Sequence, residues 1–231
     1  MFRMLRSLPF ALALAALSIF AASCGSSNSK FRLVHAIPDG QAVDVLIDGK
    51  TVESAVAFDS VTPSSGYLSV SSGTRHLQVF PTGTTTNAYF DGNPSFSGGT
   101  SYTFVVGGPT TNTFGTLLTD NNATPTSGDG ELRVIHASPS GPTPVDVYVV
   151  SPGAPASGTP SISGIVYQNA STYLNIPAGS FDVLITPNGL TAVDIRESFA
   201  PSNGQIRTFV LVDVQGGGSM ASSPLVLNDL N

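Results

Sequence analysis

Phe31-Arg32-Leu33-Val34-His35-Ala36-Ile37-Pro38, followed by Val43-Asp44-Val45-Leu46, returns later in the chain as Leu132-Arg133-Val134-Ile135-His136-Ala137-Ser138-Pro139, followed by Val145-Asp146-Val147-Tyr148. Both versions are short, β-branched and alternating, which is the pattern of strands rather than helices. Three further blocks recur in the same order. Val56-Ala57-Phe58 matches Ile165-Val166-Tyr167. Tyr67-Leu68-Ser69-Val70-Ser71-Ser72-Gly73-Thr74 matches Tyr173-Leu174-Asn175-Ile176-Pro177-Ala178-Gly179-Ser180. Thr103-Phe104-Val105-Val106 matches Thr208-Phe209-Val210-Leu211. Four matched blocks at similar spacing mean one unit made twice.

Between the runs stand turn residues. Asp48-Gly49 is a two-residue hairpin signal, and Pro177-Ala178-Gly179 suits a type I turn whose glycine is left-handed. Seven or so short strands per copy, with turns every 8 to 12 residues, predict an all-β chain of two tandem immunoglobulin-like β-sandwich domains. A barrel is the alternative. The expected boundaries are 31–120 for the first repeat and 131–231 for the second, with 121–130, polar and poor in apolar residues, as a linker that lets the domains move. Each repeat is long enough to bury a core without staples.

The 231 residues include one cysteine, no tryptophan, 24 glycines and 17 prolines, and 10% are charged, which is a turn-rich β composition. Nine Lys and Arg against fifteen Asp and Glu give a formal charge of −6. Arg3 and Arg6 fall in the leader, and the remaining basic residues are scattered, so nothing is gathered to neutralise phosphates and nucleic acid is excluded as a partner.

Residues 1–23 have the layout of a secretory signal: two positive charges by Arg6, an apolar run from Leu8 to Phe20, then Ala21-Ala22-Ser23. That run is shorter than the roughly 20 residues of a spanning helix, so a permanent transmembrane anchor is the weaker alternative. Small residues leading into Cys24 resemble the lipobox of bacterial lipoproteins, with Ala21 where leucine is usual. The resemblance implies acylation of Cys24 and a membrane anchor. Residues 24–30 then read as a flexible tether. Gly25 is not the aspartate that retains many lipoproteins at an inner membrane, so the outer membrane is expected in a two-membrane host.

Taken together, the Arg-x-x-His-Ala-x-Pro runs at Arg32 to Pro38 and Arg133 to Pro139, the Val-Asp-Val at Val43 to Val45 and Val145 to Val147, and Pro177-Ala178-Gly179 resemble the bacterial domain of unknown function 4397 family. The first copy departs from it at Ser71-Ser72-Gly73. The resemblance implies an exported β module, often in tandem and often anchored, and implies no activity.

For chemistry, His35 with Asp44 and His136 with Asp146 are the residues to consider. A hydrolase also needs a nucleophile held by the base. Ser138 stands opposite Ile37 in the other copy, Ser71 opposite Pro177, and no Gly-x-Ser-x-Gly elbow occurs. The competing reading makes each histidine a strand-end residue bonded to the following loop, and each aspartate an outward residue between inward valines. Three histidines do not make a zinc site, and no loop carries the oxygen ligands calcium requires; no metal and no cofactor is expected. Phe58, Tyr67, Phe104, Tyr148, Tyr173 and Phe209 read as core, with Tyr67 and Tyr173 as tyrosine corners bonded to a neighbouring loop. Ser151-Pro152-Gly153-Ala154-Pro155-Ala156-Ser157-Gly158-Thr159-Pro160 is inserted where the first copy has Asp48-Gly49-Lys50. It reads as a disordered insertion or, alternatively, a partner-binding loop. The expected function is a non-enzymatic structural or binding lipoprotein of the cell envelope, facing an envelope protein or a cell-surface polymer. The alternative is a periplasmic hydrolase using a His-Asp pair.

Overall fold

The computed structural model describes residues 28–230, so the leader, Cys24 and most of the tether lie outside the described residues. From Asn28 to Asp120 the strands are β1 (Asn28–Ala36), β2 (Val43–Ile47), β3 (Lys50–Val56), β4 (Ser60–Thr62), β5 (Leu68–Ser71), β6 (Gly73–Thr74), β7 (Leu77–Pro81), β8 (Phe90–Gly92), β9 (Ser95–Phe96), β10 (Ser101–Gly107) and β11 (Phe114–Asp120). They continue as β12 (Asp129–His136), β13 (Val145–Val150), β14 (Ile162–Ile165), β15 (Leu174–Pro177), β16 (Phe181–Pro187), β17 (Ile195–Phe199), β18 (Ile206–Leu211) and β19 (Leu225–Leu230). The chain is all-β, and no helix occurs among the described residues.

Each half folds as two facing sheets. In the first, β11-β10-β1-β4, with β5 also on β1, faces β3-β2-β7-β8; in the second, β15-β12-β18-β19 faces β14-β13-β16-β17. Phe31, Leu33 and Phe104 meet Val43, Val45, Leu77 and Val79 in one core. Leu132, Val134 and Phe209 meet Val145, Val147, Val183 and Ile185 in the other. The hairpin signal is met, since Asp48 and Gly49 both take positive φ, 51° and 75°, as a type I′ turn requires.

The strand order differs from the immunoglobulin arrangement, in which the first strand shares a sheet with the second. Here β1 pairs in parallel with β10, and β12 with β18, while β2 and β13 lie in the opposite sheets. The cause is local. Gly40 N–H closes a turn on the Ile37 carbonyl, and the chain crosses from one sheet to the other there instead of turning back as a hairpin. Pro177-Ala178-Gly179 also differs from expectation: β15 and β16 belong to different sheets, so this corner joins sheets rather than neighbouring strands.

The two sheets opened by β1 and β12 carry apolar residues on both faces, and their outer faces pack on each other. Val34, Ala36 and Val105 meet Ile135, Ala137, Val210, Val212 and Leu227, flanked by Val61, Phe114, Leu118, Ala170 and Leu225. Four sheets therefore stack around three apolar seams. The segment after β11 is pinned by its own polar groups: Asn121 N–H donates to the Tyr173 hydroxyl at 3.3 Å, Asn121 Nδ2 to Glu131 Oε2 at 3.0 Å, and Asn122 Nδ2 to the Tyr67 hydroxyl at 3.3 Å.

Candidate functional site

Strand alternation places Arg32 and Arg133 on the faces that meet in the middle seam, and both guanidiniums are buried, each 2% exposed. Their partners come from the opposite half. Arg133 Nη2 donates to Asp120 Oδ1 at 2.8 Å and its Nη1 to the Thr119 carbonyl at 3.3 Å. Reciprocally, Arg32 Nη2 donates to Asp229 Oδ1 and its Nη1 to the Asn228 carbonyl at 3.3 Å. Asp120 ends β11 and Asp229 lies near the end of β19, so the two ends of the cluster repeat each other. Within each half, Arg32 Nε donates to Thr103 Oγ1 at 2.8 Å and Arg133 Nε to Thr208 Oγ1 at 3.0 Å. Each threonine hydroxyl passes its own proton on, to Asp120 and to Asp229.

Tyr67 and Tyr173 complete the cluster. Their rings lie 4.9 Å and 4.8 Å from the guanidinium carbons of Arg32 and Arg133, and their hydroxyls donate to Asp120 Oδ2 and Asp229 Oδ2. The expected tyrosine corners are thus lids on buried ion pairs. Burial pushes the Tyr67 hydroxyl well above its ordinary value, reinforced by Asp120; burial does the same for Tyr173 against the pull of Arg133. Both remain proton donors wherever the carboxylates are charged. Burial works against the Arg32 cation, yet Asp229 and Asp120 outweigh it and its proton is held more tightly than usual. Two cations and two anions leave no net charge. Such a cluster adds little net stability but strongly penalises any arrangement that leaves one member alone. The apolar seam supplies the drive, at roughly 1.5–3 kcal/mol for each fully buried aliphatic side chain.

The motif histidines are fully buried at the ends of β1 and β12. His35 Nε2–H donates to the Gln41 carbonyl at 2.9 Å and its Nδ1 accepts Ile37 N–H at 3.3 Å; His136 Nε2–H donates to the Pro142 carbonyl at 2.8 Å. Phe58 and Tyr167 stand edge-on to the two rings. The histidine carbonyls accept the N–H groups of Asp59 and Gln168, both left-handed at φ 56° and 70°. Burial holds each imidazole below its ordinary value of 6.5, against the backbone carbonyl that favours the proton. A histidine that resists protonation when folded contributes stability fully present above the unfolded value and lost as pH falls below it. The melting temperature is therefore expected to drop between pH 7.5 and 5, with a shallower drop in His136→Gln; parallel curves for the two proteins would contradict this.

The motif aspartates do not join the histidines; no hydrogen bond links them. Asp44 Oδ1 accepts Ala55 N–H at 2.9 Å and its Oδ2 accepts Gly83 N–H at 3.0 Å. Asp146 Oδ1 accepts Gly164 N–H at 2.9 Å and Asn188 Nδ2 at 2.8 Å, and its Oδ2 accepts Gly189 N–H at 2.8 Å. Ala55 and Gly164 are both left-handed, at φ 53° and 70°, where the register of β2 on β3 and of β13 on β14 shifts. Each carboxylate ties that irregular edge to the turn beyond the neighbouring strand. The amides of Gly83 and Ala55 draw the Asp44 carboxyl below its ordinary value.

Ser138 is buried, but its hydroxyl donates to Asp213 Oδ1 and not to an imidazole. Among the described residues no three His, Cys, Asp or Glu side chains gather as a metal site, and no helix is long and apolar enough to cross a membrane. The inserted loop 151–160 folds onto the outer face of the second half. Gly153 N–H donates to Asp182 Oδ2 at 2.9 Å, Arg196 Nη2 to the Ala154 carbonyl at 3.0 Å, and Ala156 covers Tyr148 and Leu184. Missing from the sequence reading were Asp120 and Asp229 as partners of the motif arginines. The signal for them is a fifth match, Leu118-Thr119-Asp120 against Leu227-Asn228-Asp229.

Among solved structures, similarity is found to a module described under "Alpha-glucan binding by a streptococcal virulence factor", at 12% identity over 84% of this chain and 97% of that one, with a TM-score of 0.26. The carbohydrate-binding module CBMbc from Eubacterium rectale, solved with maltoheptaose, gives 9% identity, 85% and 97% coverage and a TM-score of 0.25. A leucine-rich repeat protein from Bacteroides thetaiotaomicron gives 14%, 83%, 26% and 0.23. TM-scores of this size carry no inference about this chain. No curated protein matches. The family model described as "Domain of unknown function (DUF4397)" matches residues 29–148, from the first Arg-x-x-His-Ala strand through the second Val-Asp-Val. That match spans more than half of the sequence and takes in residues of both ends of the ion cluster, and the chain belongs to this family.

Proposed function

We propose that the protein is a lipoprotein of a bacterial cell envelope, acylated at Cys24. In this reading two β-sandwich modules, 31–120 and 131–231, work as one rigid, non-enzymatic structural or binding unit facing an envelope protein or a cell-surface polymer. One observation carries the non-enzymatic reading: the polar residues repeated in both motifs are engaged within the fold. Both arginines bridge the halves, both imidazoles donate to backbone carbonyls, and both aspartates hold loop amides. The lipid anchor is inferred from the leader and Cys24, and outer-membrane residence in a two-membrane host from Gly25. Loop 151–160, specific to the second half and held by Asp182 and Arg196, is the surface proposed to meet the partner.

Cys24→Ala tests the anchor. Cells fed an alkynyl fatty acid should label the wild-type protein and not the variant, and the variant should leave the membrane fraction. Equal labelling of both would refute acylation at this residue.

A further inference from the structure

The contacts between the halves are reciprocal. Arg32 meets Asp229 and the Asn228 carbonyl, while Arg133 meets Asp120 and the Thr119 carbonyl. Each guanidinium is covered by its own half's tyrosine and braced by its own half's threonine. In the apolar seam Val34 is matched by Ile135, Ala36 by Ala137 and Val105 by Val210. A residue i of one half touching j of the other, with the equivalent of j touching the equivalent of i, is the signature of an isologous interface. Every half therefore carries both sides of the contact.

We propose that this face is self-complementary and that its partner, beyond the other half of the same chain, is a second copy of the same repeat. Two first repeats would pair through two Arg32–Asp120 contacts, each guanidinium also reaching the Thr119 carbonyl of the other copy. The first repeat is the better half for such a pair. Val34 stands where Ile135 stands in the second half, and Gly107, the last residue of β10, where Val212 stands, which removes volume from the seam, while Val61 stands where Ala170 stands and fills part of that space. Phe114, which meets Tyr167 at 5.5 Å, would meet Phe58, the equivalent aromatic of the first half. Within the chain the connection keeps the halves at a high effective concentration, so pairing between chains emerges only when the second half is withdrawn.

The inference rests on the two-module reading, and the test separates the two. In the full chain, Val147→Asp places a carboxylate in the second core, where Val147 is 0% exposed, and unfolds that half. Light scattering after size exclusion should show a dimer that retains the near-ultraviolet signal of the first half's aromatic residues. Adding Arg32→Asp should weaken that dimer by at least about a hundredfold, and adding Asp120→Arg to this variant should restore it. A folded monomer, or a dimer insensitive to Arg32→Asp, would overturn the self-complementary face and leave the module reading standing. Unfolding of the first half together with the second would overturn both.

Discussion

Arg133→Ala is expected to lower stability by about 3–5 kcal/mol, because it takes away the nearest cation of Asp120 and leaves the buried cluster with two carboxylates against Arg32 alone, which stands 3.6 Å from Asp120. For a domain pair of this size that is a fall in melting temperature of roughly 10 °C, measurable by calorimetry. Arg133→Lys should recover little, since an ammonium can neither reach both Asp120 Oδ1 and the Thr119 carbonyl nor stack flat on the Tyr173 ring. Arg32→Ala should behave alike, leaving Asp229 in the same position. A loss below 1 kcal/mol in either variant would mean that water reaches the cluster and that it does not hold the halves together.

Asp146→Ala should be the next most damaging change, at about 2–4 kcal/mol. It removes three charge-assisted hydrogen bonds and strands the amides of Gly164 and Gly189 at left-handed positions. Burial opposes the Asp146 charge, but Gly189 N–H, Asn188 and Gly164 N–H together hold its carboxyl below the ordinary 3.8. A depressed carboxylate contributes stability that is complete above the unfolded value and disappears as pH falls through the lower native one. The gap between wild type and Asp146→Ala should accordingly stay constant from pH 7 to 5 and close only below about 3.8. A gap unchanged at pH 2.5 would assign the loss to packing instead of charge.

What the sequence revealed follows the range of the interaction. Alternation in Val43-Asp44-Val45 and the Asp48-Gly49 turn are local, and both read correctly. His35 and His136 bond the loops that follow their strands and Asp44 is half-buried between buried valines, all within reach of neighbouring residues, whereas Asp146, read as outward, is buried beneath the amides of Gly164 and Gly189. Pairing of β1 with β10 was not legible, because parallel pairing leaves no turn between the partners. Arg32 and Asp229 lie nearly the whole described chain apart, and each alone looks like an ordinary surface charge. Asn121 and Asn122 were read as linker on composition, whereas tyrosine hydroxyls from both halves give them fixed partners. Tyr67 and Tyr173 were recognised as equivalent, but their stacking on arginine depends on a face that exists only once the halves meet.

A double-mutant cycle between Arg133 and Asp120 bears most directly on the claim that the repeated motif locks the two halves together. If the lock exists, Arg133→Met with Asp120→Leu should cost less than either single change, with a coupling energy of at least about 2 kcal/mol. Simple additivity of the two losses would contradict it.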